Sequence, residues 1–168
     1  MHSWILVLCG CGTAATTAAP ANRAPPPTAQ TLSIRPYGDI TVEDGAIVLM
    51  DHNTGDDRVH LMTITRDFHG AKVSWTDKAG PRADVRSATF PISPEERDQI
   101  RSWSQPIWQL APGGRRAFPK VASDTAYEWA IAMRRGSEVR VIEGGPSSGS
   151  DPTTNAIDPA VDYLDMHF

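Results

Sequence analysis

The sequence predicts an α+β domain: an antiparallel sheet of about five to seven strands, one main helix over about residues 94–106, and a short C-terminal helix. Three observations carry this reading. Strand-length runs of apolar and β-branched residues follow one another at turn-sized intervals, which favours hairpins. One strongly marked helix start lies past the middle of the chain. Strands and helices do not alternate, so a parallel doubly wound sheet is disfavoured.

The elements follow in order. Leu32-Ser33-Ile34-Arg35 alternates like a strand and stops at Pro36-Tyr37-Gly38. Residues 46–50 are a continuous apolar run of strand length, and residues 58–66 mix β-branched and apolar side chains before a turn at Phe68-His69-Gly70. Residues 71–75 and 83–90 read as further strands around a Lys78-Ala79-Gly80-Pro81 turn. Ser93-Pro94-Glu95-Glu96 is a capping box with proline at the first helical position. Ile100, Trp103 and Ile107 continue it at helical spacing, and Pro106 is expected to end or kink the helix. In residues 125–134, Tyr127, Trp129, Ile131 and Met133 point one way, and Gly136-Ser137 turns the chain into a strand over 138–143. Residues 144–156 read as a Gly/Ser/Pro/Thr loop. Asp158-Pro159 then resembles the cap and first position of a terminal helix, with Val161, Leu164 and Phe168 inward.

The 168 residues are 40% hydrophobic and 21% charged with a net charge of −4, which fits one folded domain over residues 31–168. Those values exclude a disordered acidic polymer, a collagen-like repeat, a coiled coil and a polytopic membrane protein. Nonspecific nucleic-acid binding needs a basic face, so no nucleic-acid partner is expected.

Residues 1–22 contain no Asp, Glu, Lys or Arg, and Trp4-Ile5-Leu6-Val7-Leu8 is a brief apolar run far short of a bilayer span. Leu8-Cys9-Gly10-Cys11 resembles a bacterial lipobox, with Leu at −3, a small residue at −1 and Cys at +1. That resemblance implies a lipoprotein signal peptide over residues 1–10, cleaved before Cys11, and a lipid carried on the Cys11 thiol. His2 is the only basic group ahead of the apolar run, and such brevity fits a true start upstream. Both cysteines lie in this stretch, so the domain has no disulfide and no thiolate metal site. Residues 11–30 are rich in Ala, Thr and Pro and cannot bury enough apolar surface to fold. They form a tether able to hold a domain a few tens of ångströms from a membrane. The expected location is a bacterial membrane, with the lipid anchor at Cys11. Gly12 at +2 favours the periplasmic face of the outer membrane if the source is Gram-negative.

Several constellations could carry chemistry. Gly145-Pro146-Ser147-Ser148-Gly149 matches the G-x-S-x-G of a nucleophile elbow, and Asp165 and His167 follow in hydrolase order. However, Ser150-Asp151-Pro152-Thr153-Thr154 does not read as the helix that such an elbow requires. The 51–57 loop, with Asp51, His52, Asn53, Asp56 and Asp57, bunches oxygen ligands for a divalent ion, but an Asx-rich hairpin turn explains the same composition. His52, His60 and His69 would suit zinc if they met in space, yet their spacing does not require it. No metal or cofactor is therefore assigned. Arg115-Arg116 and Arg134-Arg135 could grip a carboxylate, although solvated loop charges account for such pairs. Trp103 and Trp129, at inward positions of a helix and a strand, read as core residues. Trp108 falls after Pro106, off the helix register, and is the candidate exposed aromatic. With Arg115 and Arg116 in the 108–118 loop, and with exposed sheet edges, it forms the expected binding surface.

The 59–75 hairpin, the capped helix at Ile92-Ser93-Pro94-Glu95-Glu96, then Asp124-x-x-Tyr127-x-Trp129-x-Ile131 and Val139-x-Val141, resemble in layout the emfourin-like inhibitors of thermolysin-type proteases. The resemblance carries over no individual residue. It implies binding rather than catalysis. The expected function is a membrane-anchored, non-enzymatic envelope lipoprotein that binds an envelope or secreted protein or peptide, with protease inhibition as one form. The alternatives are a small serine hydrolase using Ser147 and His167, and a metal- or ligand-binding lipoprotein using the 51–57 loop.

Overall fold

The structure is a computed structural model that describes residues 28–34, 37–76, 82–110, 127–144 and 152–168, with the side chains of residues 127 and 152–156 outside that description. Among the described residues, eight strands and two helices follow the order β1 (Ala29–Ile34), β2 (Gly38–Glu43), β3 (Ile47–Asn53), β4 (Arg58–Ile64), β5 (His69–Thr76), β6 (Ala83–Pro91), α1 (Pro94–Gln109), β7 (Tyr127–Arg135), β8 (Glu138–Gly144) and α2 (Pro152–Asp165). The strands form a six-stranded sheet, β6-β5-β4-β3-β7-β8, and a two-stranded sheet, β1-β2. Every pairing is antiparallel. The α+β class and its antiparallel sheet are thus present. The strand number exceeds the expected range because β2, with only Ile40 and Val42 as inward residues, carries too little pattern to stand out.

The large sheet is covered on both faces. On one face Leu49, Met62, Ile64, Trp129, Ile131 and Met133 pack against Ile100, Trp103 and Ile107 of α1 and Ile157, Ala160, Tyr163 and Leu164 of α2. On the other, Val48, Met50, Val59, Trp75, Ala130 and Ala132 meet Ile34, Tyr37, Ile40 and Val42 from the β1–β2 hairpin and its turn. A strand buried on both faces loses its apolar–polar alternation. That is why residues 46–50 read as an unbroken apolar run.

Both helix boundaries depart from expectation. Helix α1 keeps its full capping box: Ser93 accepts from the Glu96 N–H, and the Ser93 N–H donates to the Glu96 carboxylate at 2.7 Å. It continues through Pro106 to Gln109 rather than ending at 106. Proline removes one hydrogen bond to the carbonyl four residues back. Here that carbonyl belongs to exposed Ser102, and burial of Ile107 at 1% exposure holds the last turn in place. Helix α2 starts at Pro152 and contains Pro159, so Asp158 is not its cap. Ile157, Ala160 and Leu164 form one buried stripe that runs across the proline.

Arg134 is another correction. It is not a solvated loop charge but is 1% exposed near the end of β7. Its Nε donates to the Gly136 carbonyl at 2.8 Å and its Nη1 to the Val42 carbonyl of β2 at 3.2 Å. Tyr37 likewise donates from its hydroxyl to the Glu128 carbonyl at 3.0 Å. These two contacts fasten the hairpin to the sheet. Burial, reinforced by the Asp51, Glu128 and Glu143 carboxylates, pushes the Tyr37 hydroxyl up, so it remains a donor at every physiological pH.

Candidate functional site

Three features of the surface could engage a ligand or partner. The first is the edge strand β6. Residues 84–89 are all exposed, and Val85 is 57% exposed. Among the described residues, β6 pairs only with β5 and nothing pairs with its outer edge. The register breaks between Ser74 and Thr76, opposite Asp84, whose φ is +51°. Beyond this bulge the ladder is regular from Arg86 to Pro91.

The second is a pocket of about 190 Å³ at the end of the sheet, beneath α1. The β2–β3 turn, the β4–β5 turn and the end of β7 supply its walls, with Ile100, Arg101 and Ser104 from the helix. Ile47, Ile64, Phe68, Ile100 and Met133 give it an apolar interior. Arg66, Arg101, Arg134 and Arg135 also line it, and among the described residues no Asp or Glu does. Arg66 faces Asp44 at 3.7 Å, and Arg101 donates to Asp98 at 2.9 Å. Phe68 has φ +59°, an unfavourable left-handed conformation for a bulky residue. Its N–H donates to the Thr65 carbonyl at 3.0 Å, and the His69 N–H donates to Thr65 Oγ1 at 3.1 Å, so the turn holds the strained residue. The ring then lies under the guanidinium groups of Arg101, at 4.9 Å, and Arg97, at 5.7 Å. Gly45, φ +77°, closes this end of the sheet. A Cβ there would come within 2.9 Å of the Arg66 side chain.

The third is a row of polar side chains on the helix-facing side of the sheet. Asp51, His60 and Ser74 stand opposite one another across β3, β4 and β5. Asp51 is 1% exposed, and its Oδ1 lies 3.1 Å from His60 Nδ1. A buried carboxylate on an imidazole nitrogen is the orienting half of a catalytic triad. Here, however, the ring of Phe168 stacks on the imidazole at 4.2 Å with an interplanar angle of 12°. The Lys72 ammonium lies over that phenyl ring and donates to the His167 carbonyl. The row therefore fastens the C-terminal residues to the sheet.

The sequence candidates fare unevenly. Trp108 is half-buried, not an exposed aromatic. It lies within the helix, packs on the core and sits under the guanidinium groups of Arg135 and Arg140, at 4.3 and 4.7 Å. Cys11, Arg115, Arg116 and Ser147 lie outside the described residues. His167 is engaged on both ring nitrogens, with the Tyr163 carbonyl 2.9 Å from Nδ1 and Glu96 3.4 Å from Nε2. In the 51–57 segment, Asp51 belongs to β3, while the Asn53 and Asp56 side chains accept from the Gly55 and Arg58 N–H groups. This is an Asx-type hairpin turn. His52 and His60 point to opposite faces of the sheet, because register pairs His60 with Asp51 and His52 with Val59. His69 begins β5, four positions before Val73, the residue opposite Leu61. Among the described residues no three His, Cys, Asp or Glu side chains converge on a metal position.

Comparison with protein families, curated proteins and solved structures finds no match for this chain. Its function therefore has to be read from its own geometry. Sequence reasoning missed the arginine-lined pocket because Arg66, Arg101 and Arg135 lie on a turn, a helix and a strand end that only the fold brings together. The missed signal was local: Arg66-Asp67-Phe68-His69 lacks a glycine at the position that turns left-handed. Among the described residues no helix is long and apolar enough to cross a membrane.

Proposed function

We propose that the chain is an exported, lipid-anchored envelope protein whose domain is a non-enzymatic binding module, and that it accepts an extended segment of a partner protein along β6. The lipobox resemblance at Leu8–Cys11 and the Ala/Thr/Pro tether support the anchoring. The single observation supporting the binding mode is the uncovered edge of β6. Nine residues is long for an edge strand, and β6 carries the usual protections, a bulge and the charges of Asp84 and Arg86, only in its first half, which leaves Ser87 to Thr89 as the open stretch. Exposed edges are the docking sites in β-strand addition, where main-chain hydrogen bonds supply affinity and alternate side chains supply specificity. Arg86, within the regular stretch, favours an acidic residue at the facing position. Inhibition of a secreted protease is the concrete form that the emfourin-like layout favours.

Site-specific photocrosslinking tests this in the intact envelope. A crosslinker at Ser87 should capture a defined protein, whereas one at Asp98, on the exposed side of α1, should not. Equal capture at both positions, or none at Ser87, refutes docking on β6. Cys11→Ala should leave the protein unlipidated and released from membranes, and unchanged fractionation refutes the anchor.

A further inference from the structure

We propose that the pocket beneath α1 binds a small organic carboxylate with a benzene-sized apolar body. Sign, size and lining all favour such a ligand. The chain carries a net charge of −4, yet this pocket is lined by arginines and, among the described residues, by no acid. A volume of about 190 Å³ is slightly larger than the ~150 Å³ apolar cavity that accommodates benzene. Ile47 and Phe68, both part-exposed in the pocket wall, offer the apolar body its contacts.

Arg66 and Arg101 are the groups that would take the carboxylate. Their present partners, Asp44 and Asp98, are themselves solvent-exposed, at 44% and 80% side-chain exposure. Exposed pairs of this kind are weak, so a ligand carboxylate can replace them. A guanidinium fork presents two parallel N–H groups to a carboxylate, which fixes orientation as well as charge. The strained backbone at Phe68 points the same way. Such strain collects where a structure must hold a side chain in a particular place, and here it holds an aromatic ring in the pocket wall. The site is independent of the β6 edge and does not rest on the proposed partner.

Phenylacetate is the probe, titrated by isothermal calorimetry and by backbone NMR into the full chain carrying Cys11→Ala. A ligand of about ten non-hydrogen atoms should saturate with Kd on the order of 1 mM. Shifts should concentrate at residues 45–47, 64–68 and 100–104. Phenylacetamide and phenethylamine should each bind at least about tenfold more weakly. Both arginines are exposed at 74% and 61%, so Arg66→Gln/Arg101→Gln should fold normally. This variant should lose at least about tenfold in affinity, with unchanged circular dichroism. Three results overturn the proposal: no saturation by about 10 mM, equal binding of the amide, or unaltered binding by the double variant.

Discussion

The ring of Phe90 occupies the space that a side chain on Gly70 would need. The two residues face each other across β5 and β6, and a Cβ on Gly70 would fall 2.3 Å from Phe90 Cζ. Here an aromatic ring covers the bare backbone of a strand glycine. The same ring packs on His167 at 4.7 Å and so connects the β6 edge with the C-terminal residues. Gly70→Ala should destabilise the domain by about 1–3 kcal/mol, the usual cost of overpacking. In a Phe90→Leu background the cost should shrink, and urea denaturation of the four-member cycle measures that coupling.

The Asp51–His60 pair predicts a second non-additive cycle. Asp51→Ala strands an imidazole against a buried cavity and should cost about 2–4 kcal/mol. His60→Ala should cost at least as much, because it takes the imidazole from a carboxylate that is 1% exposed, whereas the imidazole left by Asp51→Ala is 21% exposed. The double variant should lie well below the sum of the singles in urea unfolding. Loosening of Phe168, seen as increased amide exchange at residues 166–168, should accompany both single changes.

Glu96 predicts an acid-sensitive joint between the helices. Its carboxylate accepts from the Ser93 N–H at 2.7 Å and from the Tyr163 hydroxyl at 3.3 Å, with His167 nearby. The Ser93 backbone hydrogen bond, followed by those from the Ser93 and Tyr163 hydroxyls and by the His167 charge, outweighs burial and holds Glu96 below its ordinary 4.5. Because the folded pKa lies below the unfolded one, the stabilisation is fully present above about pH 4.5 and is lost as pH falls through the depressed value. Glu96→Gln should therefore lower Tm at pH 7, by a loss of about 0.5–1 kcal/mol for this partly exposed group. The gap to wild type should close as the solution is acidified below about pH 4, which thermal unfolding from pH 3 to 7 measures. Burial and the Glu96 carboxylate push the Tyr163 hydroxyl up, so it remains protonated across that range.

Phe68 predicts an inverted substitution order. A left-handed backbone costs an L-residue about 1–2 kcal/mol, and glycine escapes that cost. Phe68→Ala keeps the strain and loses the ring, while Phe68→Gly loses the ring alone. The glycine variant should be the more stable of the two by about 1 kcal/mol in urea unfolding, with both below wild type.

Local chemistry was readable in the sequence, and chemistry created by coverage was not. Ser93 to Glu96 is a self-contained capping device, and the alternation of Trp129, Ile131 and Met133 needs only one buried face. Both appear in the structure as expected. The β1–β2 hairpin is different. The unbroken apolar run at 46–50 fits burial on both faces, but β2 carries so little pattern that the sequence does not show what covers the second face, and so Arg134 cannot be recognised as buried. Pro106 and Pro159 misled for the opposite reason. Their local penalties are real, but tertiary burial of Ile107 and of the 157–164 stripe outweighs them. The pocket was illegible because its arginines converge only after β4, α1 and β7 have packed.

The β1–β2 register also has a mechanical consequence. Ala29 pairs with Glu43 at the open end of the hairpin, and Ile34 pairs with Gly38 beside its turn. A pull on the chain ahead of Ala29 thus loads the ladder at its open end, where hydrogen bonds break in succession instead of sharing the force. Strand β1, six residues and roughly 20 Å long, therefore takes such a load before the six-stranded sheet does. Arg134 grips β2 at Val42, which holds β2 to the large sheet independently of β1. Under the anchoring proposed above, this hairpin is the part of the domain that meets a pull from the membrane first.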